Sequence, residues 1–131
     1  MTERIEPVWV LKQAVLAFHI RQLAEHGGGE GVRDEGLLDS ALARPENKFA
    51  YEEPDLFMLA AAYAYGIATN HPFVDGNKRT AYVTALTFLR LNGFRVDASQ
   101  TEKYETFIRL ASGEIGEDDL AAWFRRNAKP L

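Results

Sequence analysis

The ten residues His71-Pro72-Phe73-Val74-Asp75-Gly76-Asn77-Lys78-Arg79-Thr80 bring a candidate base, a carboxylate, a glycine turn and two cations into one short stretch. A histidine at position 71 can take a proton from a substrate hydroxyl, an assistance typically worth ~100- to 10,000-fold in rate. It can equally be a hydrogen-bonded structural residue, and the proline after it predicts an extended backbone at His71. Asp75 suits either the N-cap of a following helix or a ligand for Mg2+, which is commonly held by one or two carboxylates together with substrate phosphates. If a helix begins at Gly76 or Asn77, its first backbone N–H groups lack partners within the helix and can cradle a phosphate. Asn77 is then a helix-start residue or a phosphate donor. Lys78 and Arg79 fall in the first turn, where the helix dipole disfavours cations by roughly 0.3–1 kcal/mol each at an exposed site. A bound anion reverses that penalty, whereas side chains pointing into water need no anion. Phe73 reads as a core anchor for the loop.

Other chemistry is less well supported. His19 and His26 can share a helix face, but no further ligand-spaced pair supports a zinc site built from them and His71. Gly27 to Gly31 lacks the Gly-Lys-Ser/Thr that completes a P-loop and follows a helical pattern, so it reads as a helix stop. There is no cysteine, which removes disulfides and thiolate metal sites and suits a reducing compartment.

The elements that must position the motif are helical. Pro7 opens an amphipathic pattern through Val8, Leu11, Val15 and Phe18 that stops at Gly27-Gly28-Gly29. Asp34 caps a second helix that Pro45 is expected to end, leaving Glu46 to Pro54 polar and irregular. Asp55 caps a third, Leu56 to about Asn70, apolar on nearly every side and therefore buried. A fourth runs from Gly76 to Leu91 and stops at Asn92-Gly93. Two more fit Ser99 to Ala111 and Glu117 to Asn127. Phe94 to Val96 and Phe49 to Tyr51 can be extended, but neither alternates long enough to predict a sheet. The expectation is an all-α bundle of about six helices, one domain spanning residues 1–131, with the motif joining two central helices.

Bulk properties narrow the function. Fifteen Lys and Arg against nineteen Asp and Glu give a net charge of -4, which argues against direct nucleic-acid binding. The longest apolar run, Leu56 to Ala68, is shorter than the ~18 residues of a membrane span. Met1 to Glu6 carries no secretory pattern, so a cytoplasmic location is expected.

The stretch His71 to Arg79 resembles the signature H-x-F-x-D/E-G-N-G/K-R of the Fic/Doc family, and specifically its Doc, or death-on-curing, branch. Gly31-Val32-Arg33-Asp34 with Leu37-Leu38, Ala43-Arg44-Pro45, and Phe88 to Gly93 also look like Doc sequence, so the resemblance covers most of the chain. It implies a small all-α toxin that modifies a protein hydroxyl using ATP or another nucleoside triphosphate and Mg2+. His71 would be the base, Asp75 the metal-associated acid, Gly76 and Asn77 the phosphate cradle, and Lys78 and Arg79 the phosphate grip. AMP-transferring members have glycine at the place of Lys78 and a second arginine at the place of Tyr82. In the Doc branch the lysine goes with a reversed nucleotide, transfer of the terminal phosphoryl group, and a threonine of translation factor Tu as target. Transfer of AMP, or a non-catalytic nucleotide- or partner-binding module, are the alternatives. The inhibitory S/T-x-x-x-E-G/N helix of many Fic proteins has no match, since Thr106 follows Thr101 to Glu105 where Gly or Asn is required. Restraint is therefore expected from an antitoxin whose C-terminal segment folds into a groove. Glu46 to Pro54 matches the family's target-docking region and equally fits an ordinary surface loop.

Overall fold

Three acidic or hydroxyl side chains start helices as their positions in the sequence predict. Asp34 accepts a hydrogen bond from Leu37 N–H, Asp55 from Met58 N–H and Ser99 from Glu102 N–H. In the computed structural model residues 4–131 are described, so Met1 to Glu3, part of the opening read as carrying no secretory pattern, lie outside the described residues. The helices are α1 (Lys12–His26), α2 (Glu35–Tyr51), α3 (Leu56–Asn70), α4 (Asn77–Leu91), α5 (Gln100–Ser112) and α6 (Glu117–Asn127). The all-α expectation of about six helices holds, with one addition. Strand β1 (Phe94–Val96) pairs antiparallel with β2 (Ala128–Pro130), bringing Val96 opposite Ala128 and the chain end back to the turn after α4. No pattern in three-residue strands could have announced that sheet.

Helix α3 is the hub. It packs against α2, α4, α5 and α6, and Leu59 to Ala64 and Gly66 to Ala68 are buried. Its alanines and Gly66 let neighbours approach closely: a Cβ at Gly66 would lie 3.1 Å from the Cα and carbonyl oxygen of Ala41 on α2. Phe73, Phe88, Phe107 and Phe124 fill the spaces between helices in one buried cluster.

Two sequence expectations fail for tertiary reasons. Helix α1 starts at Lys12, after the Pro7 to Leu11 segment, because that segment's backbone is bonded elsewhere. Val8 N–H donates to Asn92 Oδ1, Asn92 Nδ2 donates to Val8 O, and Val10 N–H donates to Tyr63 Oη. Helix α2 runs through Pro45 to Tyr51, so Phe49 to Tyr51 is helical and only the last part of Glu46 to Pro54 is irregular. Proline cannot donate to Ala41 O, but that carbonyl lies at the close crossing with Gly66. The helix beyond it is held by Phe49 packed edge-on against Trp9 and by Lys48, which pairs with Glu117 on α6, as Arg44 does just before the proline.

Candidate active site

The motif forms the turn between α3 and α4. Helix α3 ends at His71 in the left-handed conformation, φ 49° and ψ 55°, contrary to the extended backbone expected before proline. His71 is the only non-glycine residue with positive φ among those described. Histidine tolerates this region better than branched residues do, and the cost is met by surrounding bonds. Arg33 Nε donates to His71 O at 2.8 Å and Arg33 Nη2 to Asn70 O at 3.1 Å, closing the carbonyl end of α3. Pro72 O accepts from the backbone N–H groups of both Arg33 and Asp34, Val74 N–H donates to Gly31 O, and Val32 pairs with Phe73 as a β-bridge. The Gly31 to Asp34 segment thus clamps the turn. Its composition was visible in the sequence, but its clamping role was not.

Phe73 is buried, as expected of an anchor, and lies flat against the His19 ring with centroids 3.9 Å apart. His19, itself buried, holds Asp75 O with Nε2 at 3.0 Å, an interaction the sequence did not reveal. A histidine four residues after buried Val15, on the inward face of α1, is the available signal. The three-histidine zinc idea fails, because among the described residues no cluster of three metal-ligating side chains exists.

Asp75 is not the N-cap of α4. Gly76 takes that place with φ 76°, without a side-chain cap, and Asp75 Oδ1 instead accepts from the adjacent Gly76 N–H at 2.8 Å. The exposed carboxylate makes no ion pair among the described residues. Asn77 closes the turn on itself: its Oδ1 accepts from Phe73 N–H at 3.0 Å and its Nδ2 donates to Phe73 O at 3.1 Å. Its side chain is therefore occupied, and only its backbone N–H remains for an anion. The first backbone bond of α4 joins Thr80 N–H to Gly76 O, so the N–H groups of Asn77, Lys78 and Arg79 come before the helical ladder begins. The first turn of α4 contains no acidic residue, unlike that of α6 with Glu117, Asp118 and Asp119.

These groups open into one cleft of about 580 Å3, lined by His71, Asp75, Gly76, Asn77, Lys78 and Arg79, with Tyr104, Ile108 and Ser112 of α5 on the far wall. All six sequence-derived candidates meet there. The far wall was not anticipated. A carboxylate free of protein cations beside unpaired N–H groups fits a hard cation shared with phosphates, since Mg2+ seldom takes an all-protein cage.

The Fic/DOC family matches residues 9–89, more than half of the chain. The chain belongs to the Fic/Doc family. Two Doc proteins are similar over nearly their whole lengths. The "Protein kinase doc" of Escherichia phage P1 is 37% identical over 115 residues, covering 87% of this chain and 90% of that protein. The "Toxin Doc" of Mycolicibacterium smegmatis (strain ATCC 700084 / mc(2)155) is 44% identical over 128 residues, covering 93% of this chain and 91% of that one. The matched span of the Fic/Doc family holds α1, α2, α3, the turn and most of α4, together with the Gly31 to Asp34 clamp. Among the described residues no helix is long and apolar enough to cross a membrane.

Proposed function

We propose that residues 1–131 form a single Doc-like toxin domain that transfers the terminal phosphoryl group of a nucleoside triphosphate to a Ser or Thr hydroxyl of a protein target. The observation that carries this reading is the meeting of His71, Asp75 and the unpaired first turn of α4 in one open cleft. His71 accepts the proton of the target hydroxyl as its oxygen attacks the terminal phosphorus. The bond from that phosphorus to the bridging oxygen breaks, and the nucleoside diphosphate leaves with the electron pair. Lys78, Arg79 and the backbone N–H groups of Asn77 to Arg79 grip the phosphates where Gly76 turns the chain, so charge stabilisation and positioning provide most of the rate. Mg2+ held by Asp75 supplies neutralisation of phosphate charge. Lys78 in place of a glycine goes with phosphoryl transfer, which the name "Protein kinase doc" of the phage relative also supports.

The target class is a translation elongation factor, factor Tu first, and the setting is cytoplasmic. The restraining partner is an antitoxin segment that folds into a groove on the domain. Incubation with MgATP and cell lysate, followed by mass measurement of the modified protein, tests the reading. A phosphate-sized increment is expected, abolished by His71→Ala with the melting temperature nearly unchanged because His71 is exposed. An adenylate-sized increment replaces this reading with nucleotidyl transfer, and labelling that survives His71→Ala removes the base.

A further inference from the structure

The far end of α4 carries a second concave site that the motif does not use. A pocket of about 240 Å3 is lined by Leu86, Thr87 and Arg90 of α4, Arg95 and Val96 of β1, and Lys103 of α5. Three elements bring three cations to one hollow, and no acidic residue lines it, although acids outnumber bases in the chain by nineteen to fifteen. Arg90 and Lys103 make no ion pair among the described residues. Arg95 meets only Asp97, at 3.5 Å with both side chains about half exposed, a pair of little worth. Arg90 suits the last turn of α4, where the helix dipole favours a cation, but Lys103 stands in the opening turn of α5, where the dipole disfavours one. The backbone adds a donor. Asp97 N–H donates to Asn127 O and Leu131 N–H to Gly93 O, which sets the phase of the ladder: Arg95 and Lys129 are a hydrogen-bonded pair, and Val96 opposite Ala128 is not. Val96 therefore turns its N–H away from β2, where it has no backbone partner among the described residues although Val96 is only 8% exposed. A buried N–H without a partner is rare in a fold.

We infer that this pocket binds a small phosphate monoester, independently of the motif cleft. From Lys78 to Arg90 the helix advances by about 18 Å, so the two sites do not share a ligand. Like charges around one hollow repel each other, and a dianion between them turns the repulsion into attraction. A phosphate monoester carries a charge of about −1.5 to −2 at neutral pH and three terminal acceptor oxygens, which answer cations arriving from three elements. A carboxylate offers two oxygens in one plane and is satisfied by a single arginine fork. Leu86 and Val96 give apolar surface to the group esterified to the phosphate, and Thr87 brings a hydroxyl to the same wall. Nucleic acid fits less well, because the net charge is -4 and the cations form one spot and no stripe.

Titration of the full, nitrogen-15-labelled chain with phenyl phosphate, followed by the backbone amide signals in NMR, tests this site separately from the motif. Phenyl phosphate should shift the signals of Thr87, Val96 and Lys103, and bind there more tightly than orthophosphate and far more tightly than acetate at equal ionic strength. Arg90→Gln and Lys103→Gln, neither at a buried position, should each weaken that binding by roughly fivefold or more and leave the response of Asn77 to Arg79 unchanged. The rest of the spectrum reports that each variant is folded. Arg90→Lys, which keeps the charge and loses the fork, should recover part of the affinity. An unmoved Val96 signal, or one affinity for wild type and both glutamine variants, overturns the site. Equal affinity for phenyl phosphate and orthophosphate assigns the pocket to the free ion and overturns the ester. Shifts produced by polyglutamate and not by phenyl phosphate overturn it in favour of an acidic protein segment.

Discussion

The metal-holding role proposed for Asp75 rests on a few atoms around it that nothing in its residue type could predict. Its carbonyl is held by His19, one carboxylate oxygen by Gly76 N–H, and the other faces Gly28 at the end of α1. A Cβ at Gly28 would lie 2.8 Å from Asp75 Oδ2, and the residue has φ +124°; Gly27 also has positive φ but open space around it. Gly28→Ala should therefore displace the carboxylate and raise the Mg2+ concentration needed for half-maximal labelling by roughly tenfold, while Gly27→Ala raises it little. Both should lose stability from backbone strain of order 1 kcal/mol. Mg2+ titrations of the two variants separate the site effect from the shared strain. His19→Phe keeps a flat ring against Phe73 and removes only the bond to Asp75 O. Its unfolding free energy by denaturant titration should drop by about 0.5–1.5 kcal/mol, the net worth of one hydrogen bond.

At the scale of elements, the turn works because a loop from elsewhere in the chain holds it. Arg33 closes two carbonyls of α3 through an exposed side chain, and the backbone of Gly31 to Asp34 supplies the remaining bonds. Arg33→Ala should cost about 1–2 kcal/mol in unfolding free energy, since charged-group hydrogen bonds are each worth somewhat more than neutral ones. It should also reduce turnover more than nucleotide affinity, because it loosens His71 and leaves Lys78 and Arg79 in place. Steady-state kinetics with varied MgATP distinguish the two effects. Helix identity and the starts at Asp34, Asp55 and Ser99 were legible because capping and apolar periodicity are local signals. The early stop expected at Pro45, the helix expected from Pro7 and the missed β1–β2 pair share one cause. Each depends on a distant partner: Gly66 and Glu117 for α2, Asn92 and Tyr63 for the opening segment, Ala128 for Val96. The site shows the same division. All six candidate residues were readable from the motif, but its clamp, the His19 support and the α5 wall come from segments that only the fold brings near.

For the whole molecule, Tyr63 links the opening segment to the hub. Its ring is buried on α3 against Phe88, and its hydroxyl both accepts from Val10 N–H and donates to Val10 O. Burial pushes its pKa up from 10.0 to about 12, the bond to Val10 only partly offsetting this. The neutral phenol is thus favoured in the fold. Below pH 10 both the folded and unfolded chains keep the proton and Tyr63 adds no pH dependence. Between pH 10 and 12 the unfolded chain releases it and the folded chain does not, so stability falls as pH rises, by roughly 2–3 kcal/mol at most across the window. Tyr82, also raised by burial, acts in the same direction and is common to any pair of variants that differ only at position 63. Tyr63→Phe should start about 1–3 kcal/mol less stable at pH 8, because the Val10 backbone groups lose their partner. Its decline between pH 10 and 12 should be shallower by the Tyr63 share, so the two proteins converge in urea midpoint as pH rises. Parallel curves over that range would show that the buried phenol does not control the alkaline limit of the fold.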